Sequence, residues 1–185
     1  MTGRHDNSSR LFDELLVVHV QSGDRRAAER LASRWHPRLL RTANRLLRNE
    51  DQALGAVQET WVSIMRGLHS LRDPARFAPW SFNILRRRCA ERIALAARQR
   101  RFEADVQAEF ATQPNAGEAV EIKQAFDSLS LEQRLAAQLF FVEGLSLAEI
   151  AEVQDVPLGT AKTRLFHARR KLKAALTGES HEQCR

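Results

Sequence analysis

Residues 147–176 read LAEIAEVQDVPLGTAKTRLFHARRKLKAAL, and their pattern decides the fold. Leu147, Ile150 and Ala151 fall on one face at helical spacing. Asp155 and Pro157 end that helix, because proline brings no backbone donor and disfavours helix in the residue before it. Gly159 and Thr160 open a second helix, with the threonine hydroxyl close to its free N–H groups. Leu158, Ala161, Leu165, Ala168 and Leu172 recur every three or four residues and give this helix an apolar face. From Val156 to Leu176 there are six Lys or Arg and no acid. A short helix, a tight turn and a basic amphipathic helix make the helix-turn-helix arrangement that enters a major groove. A plain helical hairpin with a solvated basic face is the competing explanation. The G-T-x-K-T-R core and the acid-free second helix weigh against it.

Composition extends this outward. The 185 residues suffice for one large or two small domains. A net charge of +6 points to a polyanionic partner, and arginine, which outnumbers lysine, suits bidentate phosphate and base contacts. Tyrosine is absent and glycine scarce, so strands are poorly served and helices favoured. Cys89 and Cys184 have no C-x-x-C partner, and the histidines are scattered, so no metal or redox motif is expected. The N-terminus is polar, without the apolar core of a signal segment. No run approaches the ~18 apolar residues of a membrane span. These features predict a cytoplasmic protein with no cofactor and no small-molecule substrate.

The rest of the chain reads as helices. Residues 1–10 are polar and expected to be disordered. Phe12 to Val20 is helical, and Ser22-Gly23-Asp24 forms a turn and cap. One helix follows to about Trp35, and Pro37 starts another to about Arg48, with an arginine stripe at 38, 41, 45 and 48. After a break at 49–51, Val57, Trp61 and Ile64 form the seam of a helix from about Gln52 to Met65. Gly67–Ala78 is loop-like, and Pro79 opens a long helix to about Arg101. Trp80 lies at helical spacing from Ile84, which favours a core position over stacking on a base. Between Arg86 and Arg101 stand seven arginines and one acid. Then the charge flips: Glu103–Ile122 holds five acids and no Lys or Arg, with Pro-Asn-Ala-Gly inside it, the pattern of an extended connector. A second helical module begins near Val120, with helices over Glu121–Leu129 and Leu131–Glu143 before the helix-turn-helix.

Two stretches in this order resemble the sigma-70 family, specifically its small extracytoplasmic-function (ECF) type. In the first module, AVQETWVSI resembles the family's D-x-x-Q-E-x-F segment, and FAPWSFNILRRRCAERI its F-R-x-W-L-x-R-I-A-R-N-x-x-x-D segment. In the second, LSLEQRLAAQLFFVEGLSLAEIAEVQDVPLGTAKTRLFHARRKL is similar to the run from L-P-x-x-x-R through E-I-A to G-T-V-K-S-R-L-x-R-A-R-x-x-L. The chain departs from the pattern at several places. Gln52-Ala53-Leu54-Gly55 replaces an acidic D-A-E-D, and Arg87 and Glu91 stand for Asn and Asp. Asp155 takes the place of the turn glycine, His167 of an arginine, and Leu129-Ser130 of Leu-Pro.

The resemblance implies an all-α chain of two small helical domains, region 2-like over 11–101 and region 4-like over 120–178. A flexible acidic linker over 102–119 would join them, with a disordered start (1–10) and a tail (179–185). It implies an alternative sigma factor that binds core RNA polymerase through the beta-prime clamp and beta flap. It would direct initiation at minus-35 and minus-10 promoter elements and do no chemistry of its own. By the same resemblance Lys162, Thr163 and Phe166 approach minus-35 bases, with Arg164 and Arg169 near phosphate and His167 at a further minus-35 contact where the family has arginine. Simple packing is the competing role for Phe166. Arg72 and Arg76 in the Gly67–Arg76 loop, with Arg86, Arg87, Arg88 and Arg92, would serve the minus-10 element. Gln58 and Glu59, with Arg38 and Arg41 nearby, would face the polymerase. An anti-sigma factor is an implied partner. A sigma-like protein that only sequesters such a partner is the alternative, but it would need no basic recognition helix. A nucleic-acid-processing enzyme would need clustered carboxylates, and here five of the 23 acids sit in the connector and the rest are spread along the chain.

Overall fold

The computed structural model describes residues 3–103, 126 and 128–177. Among them are seven α-helices and no strand. The acidic connector beyond Glu103, most of the predicted 121–129 helix and the tail from 178 lie outside the described residues.

Local signals set the helix ends. Helix α1 spans Gly3–Gln21, so residues 3–10 are helical where disorder was expected. Tertiary contacts hold them: Arg34 donates to the Ser9 hydroxyl at 2.9 Å, and Arg10 donates to the Gly144 carbonyl at 2.7 Å. Gly23, at φ +92°, makes the turn, and Asp24 caps α2 by accepting from the amides of Arg26 and Ala27. Helix α2 runs Arg25–Leu47 without interruption, with Pro37 inside it. The expected break is overridden by burial. Ala27, Leu31, Trp35, Leu39, Ala43 and Leu46 form one stripe through the proline, and the apolar surface they bury outweighs the roughly 3 kcal/mol that an interior proline costs. Arg48, in the left-handed region, closes α2, and Asn49 caps α3 (Glu50–Gly67). The following loop is two 3-10 turns, Leu68–Ser70 and Pro74–Arg76. Gln21 pins the first by donating to the Leu68 and Leu71 carbonyls, both at 2.8 Å. Helix α4 spans Phe77–Glu103.

In the second module Ser130 and Gln133 form a capping box at the start of α5 (Leu131–Ala137), which widens into a π turn over Gln138–Val142. Ser146 and Glu149 form another at α6 (Leu147–Gln154). Asp155, at φ 54°, supplies the left-handed residue of the turn, and α7 follows over Leu158–Thr177.

The core of the first module gathers Leu31, Trp35 and Leu39 from α2, Val57 and Ile64 from α3, and Phe82 and Leu85 from α4. Trp35 meets Phe77 edge-on at 4.9 Å. Trp80 is half-buried against Phe77, and a side chain at Gly67 would come within 3.0 Å of its ring. It therefore belongs to the rim of the core. The two modules share one apolar cluster, because Leu135, Leu139, Leu145, Ile150 and Val153 continue it. Helix α6 packs on α4, and α5 on α2.

Candidate nucleic-acid interface

Helix α7 is held from one side. Ala161, Leu165, Ala168 and Leu172 are buried, so the residues between them face outward. Lys162, Thr163, Phe166, Arg169 and Arg170 are exposed. The Phe166 ring is 60% exposed and meets the edge of His167 at 5.6 Å. With that exposure, the ring is not part of the packed face of α7. Thr163 donates its hydroxyl to the Gly159 carbonyl at 2.9 Å, leaving its oxygen lone pairs outward. Arg170 lies one turn beyond Phe166 on the same face, and the resemblance did not point to it. The 3.6-residue period that carries Thr163 to Phe166 carries on to Arg170. Arg164, expected near phosphate, instead turns back into the domain and donates to Glu132 at 2.9 Å.

The arginines of the first module divide in the same way. Arg72 and Arg87 stand exposed. Arg86 is half-buried, and its Nε is buried without a hydrogen-bond partner. Arg88 donates to Glu91 at 2.9 Å and to Ser63 at 3.1 Å. Arg92 donates to Gln52 at 2.9 Å and Glu59 at 2.6 Å. Its guanidinium lies over Gly55, where a β-carbon would sit 2.5 Å from Nη2. Gln52 and Gly55, both departures from the family pattern, thus form a cradle with Glu59 for this arginine. Arg76 pairs with Glu152 of the second module at 2.6 Å.

Gln58 and Glu59 are exposed on α3. Leu54, Val62 and Met65 are exposed on the same helix, at spacings that place them beside Gln58. This apolar row was missed, though its helical period was visible. A shallow groove lined by Ala32, Ser33, His36, Pro37, Trp61 and Met65 adjoins it. Arg38 and Arg41 do not join this face. Both reach the buried carboxylate of Glu143, Arg38 at 2.8 Å and Arg41 at 3.2 Å. Arg45 covers the Phe126 ring at 4.4 Å, and Asn83 donates to the carbonyls of Glu152 and Val153 at the end of α6. Cys89 is buried, which pushes its thiol up to about 12 despite the opposing charge of Arg92. Among the described residues, no helix is long and apolar enough to cross a membrane, and no group of three His, Cys, Asp or Glu could hold a metal ion.

Comparison with known proteins agrees with the fold of two helical modules. Residues 31–101 match the family described as Sigma-70 region 2, and residues 119–172 match Sigma-70, region 4. The chain is similar to ECF RNA polymerase sigma factor SigM of Mycobacterium tuberculosis, at 33% identity over 175 residues, covering 94% of this chain and 87% of the relative. It is similar to the ECF RNA polymerase sigma-E factor of Escherichia coli K12, at 30% identity over 179 residues, covering 88% and 93%. Among solved structures, the sigma factor RpoE bound to the anti-sigma factor NepR of Bartonella quintana superposes with a TM-score of 0.69 at 25% identity, covering 80% of this chain and 96% of the other. CnrH in complex with the cytosolic domain of CnrY gives 0.67 at 26% identity, covering 91% and 99%. With both regions present in order and this identity sustained over nearly the whole length, the chain belongs to the sigma-70 family as an ECF RNA polymerase sigma factor.

Proposed function

We propose how the two modules of this alternative sigma factor divide promoter recognition. Helix α7 enters the major groove of the minus-35 element, where Lys162, Thr163 and Phe166 meet base edges and Arg169 and Arg170 meet phosphate. Base contacts specify and phosphate contacts fix the register. The first module holds the opened minus-10 strand with Arg72, Arg86 and Arg87, the arginines least committed to partners within the protein. A melted strand needs a cationic groove of this kind. The exposed row Leu54, Gln58, Val62 and Met65 on α3 docks on the polymerase clamp, and an anti-sigma factor regulates access to these faces. The protein works in the cytoplasm as a regulator of transcription and makes no covalent chemistry.

One observation carries this assignment. The outward face of α7 presents an aromatic ring and cations with no acid, while Ala161, Leu165, Ala168 and Leu172 on the opposite face are buried. The test is transcription in vitro with core polymerase on a library of upstream elements. Lys162→Ala and Thr163→Ala should each change which bases are preferred, by about 1–3 kcal/mol of discrimination for each base interaction removed. An unchanged preference in the double variant would remove these residues from base recognition.

A further inference from the structure

Arg164 sits in the middle of the recognition segment yet does not share its outward face. It is two residues from both Lys162 and Phe166, roughly 200° around the helix. Its Nη1 donates to Glu132 Oε2 on α5 at 2.9 Å and to Gln154 Oε1, the last residue of α6, at 3.0 Å. Gln154 is 3% exposed, and its amide donates to the Glu132 backbone carbonyl at 2.8 Å. The three residues close a ring that ties α5, α6 and α7 together at one point.

The position of this ring matters because the apolar packing of α7 is uneven. Its C-terminal half is gripped by a cluster of Phe126, Leu129, Ala137, Ala168 and Leu172. Its first turns, which carry the reading side chains, are buried at Ala161 and Leu165, while Leu158 at the start of the helix is 55% exposed. A β-carbon added at Gly159 would meet nothing within 4 Å. Apolar packing is non-directional, so it constrains the angle at which a helix leaves the core less than directional bonds do. Hydrogen bonds to a planar guanidinium are directional.

The geometry points to Arg164 as a positioning residue that sets the entry angle of α7 through Glu132 and Gln154, and not as a phosphate ligand. The inference rests on the assignment of α7 to the minus-35 groove. Three consequences separate it from a phosphate role. Glu132 is an acid on the DNA-binding module, so a bystander carboxylate would hinder DNA binding and its removal would tighten it. In a positioning ring its removal weakens binding. Gln154 is neutral and buried, so only the positioning role makes it matter. Lastly, if Arg164 paired with a phosphate, replacing it would lower the salt dependence by about one charge, whereas replacing a positioning residue leaves the slope in place.

The experiment uses the full chain assembled with core polymerase. Binding is measured over a salt series to two labelled promoter duplexes, one with the preferred upstream element and one with it scrambled. Glu132→Gln, Gln154→Met and Arg164→Ala are each expected to lower the preference by about 3- to 10-fold, with less than additive effects in combination. The salt slope should be that of the parent, and the exchanged pair Glu132→Arg/Arg164→Glu should recover preference. Tighter or unchanged binding by Glu132→Gln together with a reduced slope for Arg164→Ala overturns the proposal in favour of a phosphate role. Preference that survives Gln154→Met overturns it as well, and because that change keeps volume and charge, loss of fold does not blur the result. A parent that prefers neither duplex removes the groove assignment of α7 and this inference with it. A parent preference that survives all three variants removes this inference alone.

Discussion

Single arginines show how much a side chain's surroundings decide its work. Arg87 is exposed, whereas Arg92 is spent on Gln52 and Glu59. Replacing each with alanine should therefore have different consequences. Arg87→Ala is expected to fail on duplex promoters and be partly rescued on a template with a pre-melted bubble, because a strand-holding cation matters less once the strand is open. Arg92→Ala removes a tie between α3 and α4 and should lower output on both templates alike, with abortive and full-length RNA as the readout. Equal loss for Arg87→Ala on both templates would assign it to folding or polymerase binding. Cys89 makes a prediction about pH. Its thiol titrates near 12 in the fold, against an unfolded value of 9.0, because burial disfavours the thiolate. A group whose folded pKa is raised contributes stability that is whole below the unfolded value and declines as pH climbs from there to the folded one. The parent should thus lose stability between about pH 9 and 12 more steeply than Cys89→Ala, as followed by denaturant melts at each pH.

At the scale of elements, caps and turns keep the helix-turn-helix in register. Asp155 holds φ 54° at the end of α6, and its amide donates to the carbonyls of Ala151 and Glu152. The left-handed region costs an ordinary L-residue roughly 1–2 kcal/mol, less for aspartate, and nothing for glycine. Asp155→Gly is expected to hold stability or raise it by up to about 1 kcal/mol, while a β-branched Asp155→Val should lower it by more than about 1 kcal/mol. Thermal melts would check the pair, and a stable valine variant would show that the turn is not fixed at this residue. Helix α2 behaves in the opposite way. Its proline carries a strong stop signal, yet a buried stripe running through Pro37 keeps the helix whole. Local signals hold where they agree with burial and yield where they do not.

At the scale of the molecule, the packing of one module on the other differs from the arrangement that holds two promoter elements. Helices α4 and α7 are separated by α6, so they lie about two interhelical spacings apart, roughly 20 Å. Elements centred about 25 base pairs apart are separated by roughly 85 Å of duplex. Residues 104–125 reach up to about 75 Å if extended, enough to let the modules part. Breaking the interface exposes Glu143 and frees Arg38 and Arg41, and a carboxylate held by two guanidiniums is costly to strand if only one partner is removed. Glu143→Arg should therefore separate the modules, seen as a larger radius of gyration by solution scattering. An unchanged radius would show that the shared apolar cluster holds them without the ion pairs. The sequence by itself determined the all-α class, the helix-turn-helix, the basic character of α4 and α7 and the family, because period, caps and turn residues act within a few positions of each other. It also showed Lys162, Thr163 and Phe166 on an outward face, since one helical period is enough for that. Only the tertiary structure decided which cations remain available to DNA. The partners of Arg88, Arg92, Arg164, Arg38 and Arg41 include groups 25, 33, 32, 105 and 102 residues away in the chain, and electrostatic pairing depends on distance in space, which no local pattern records.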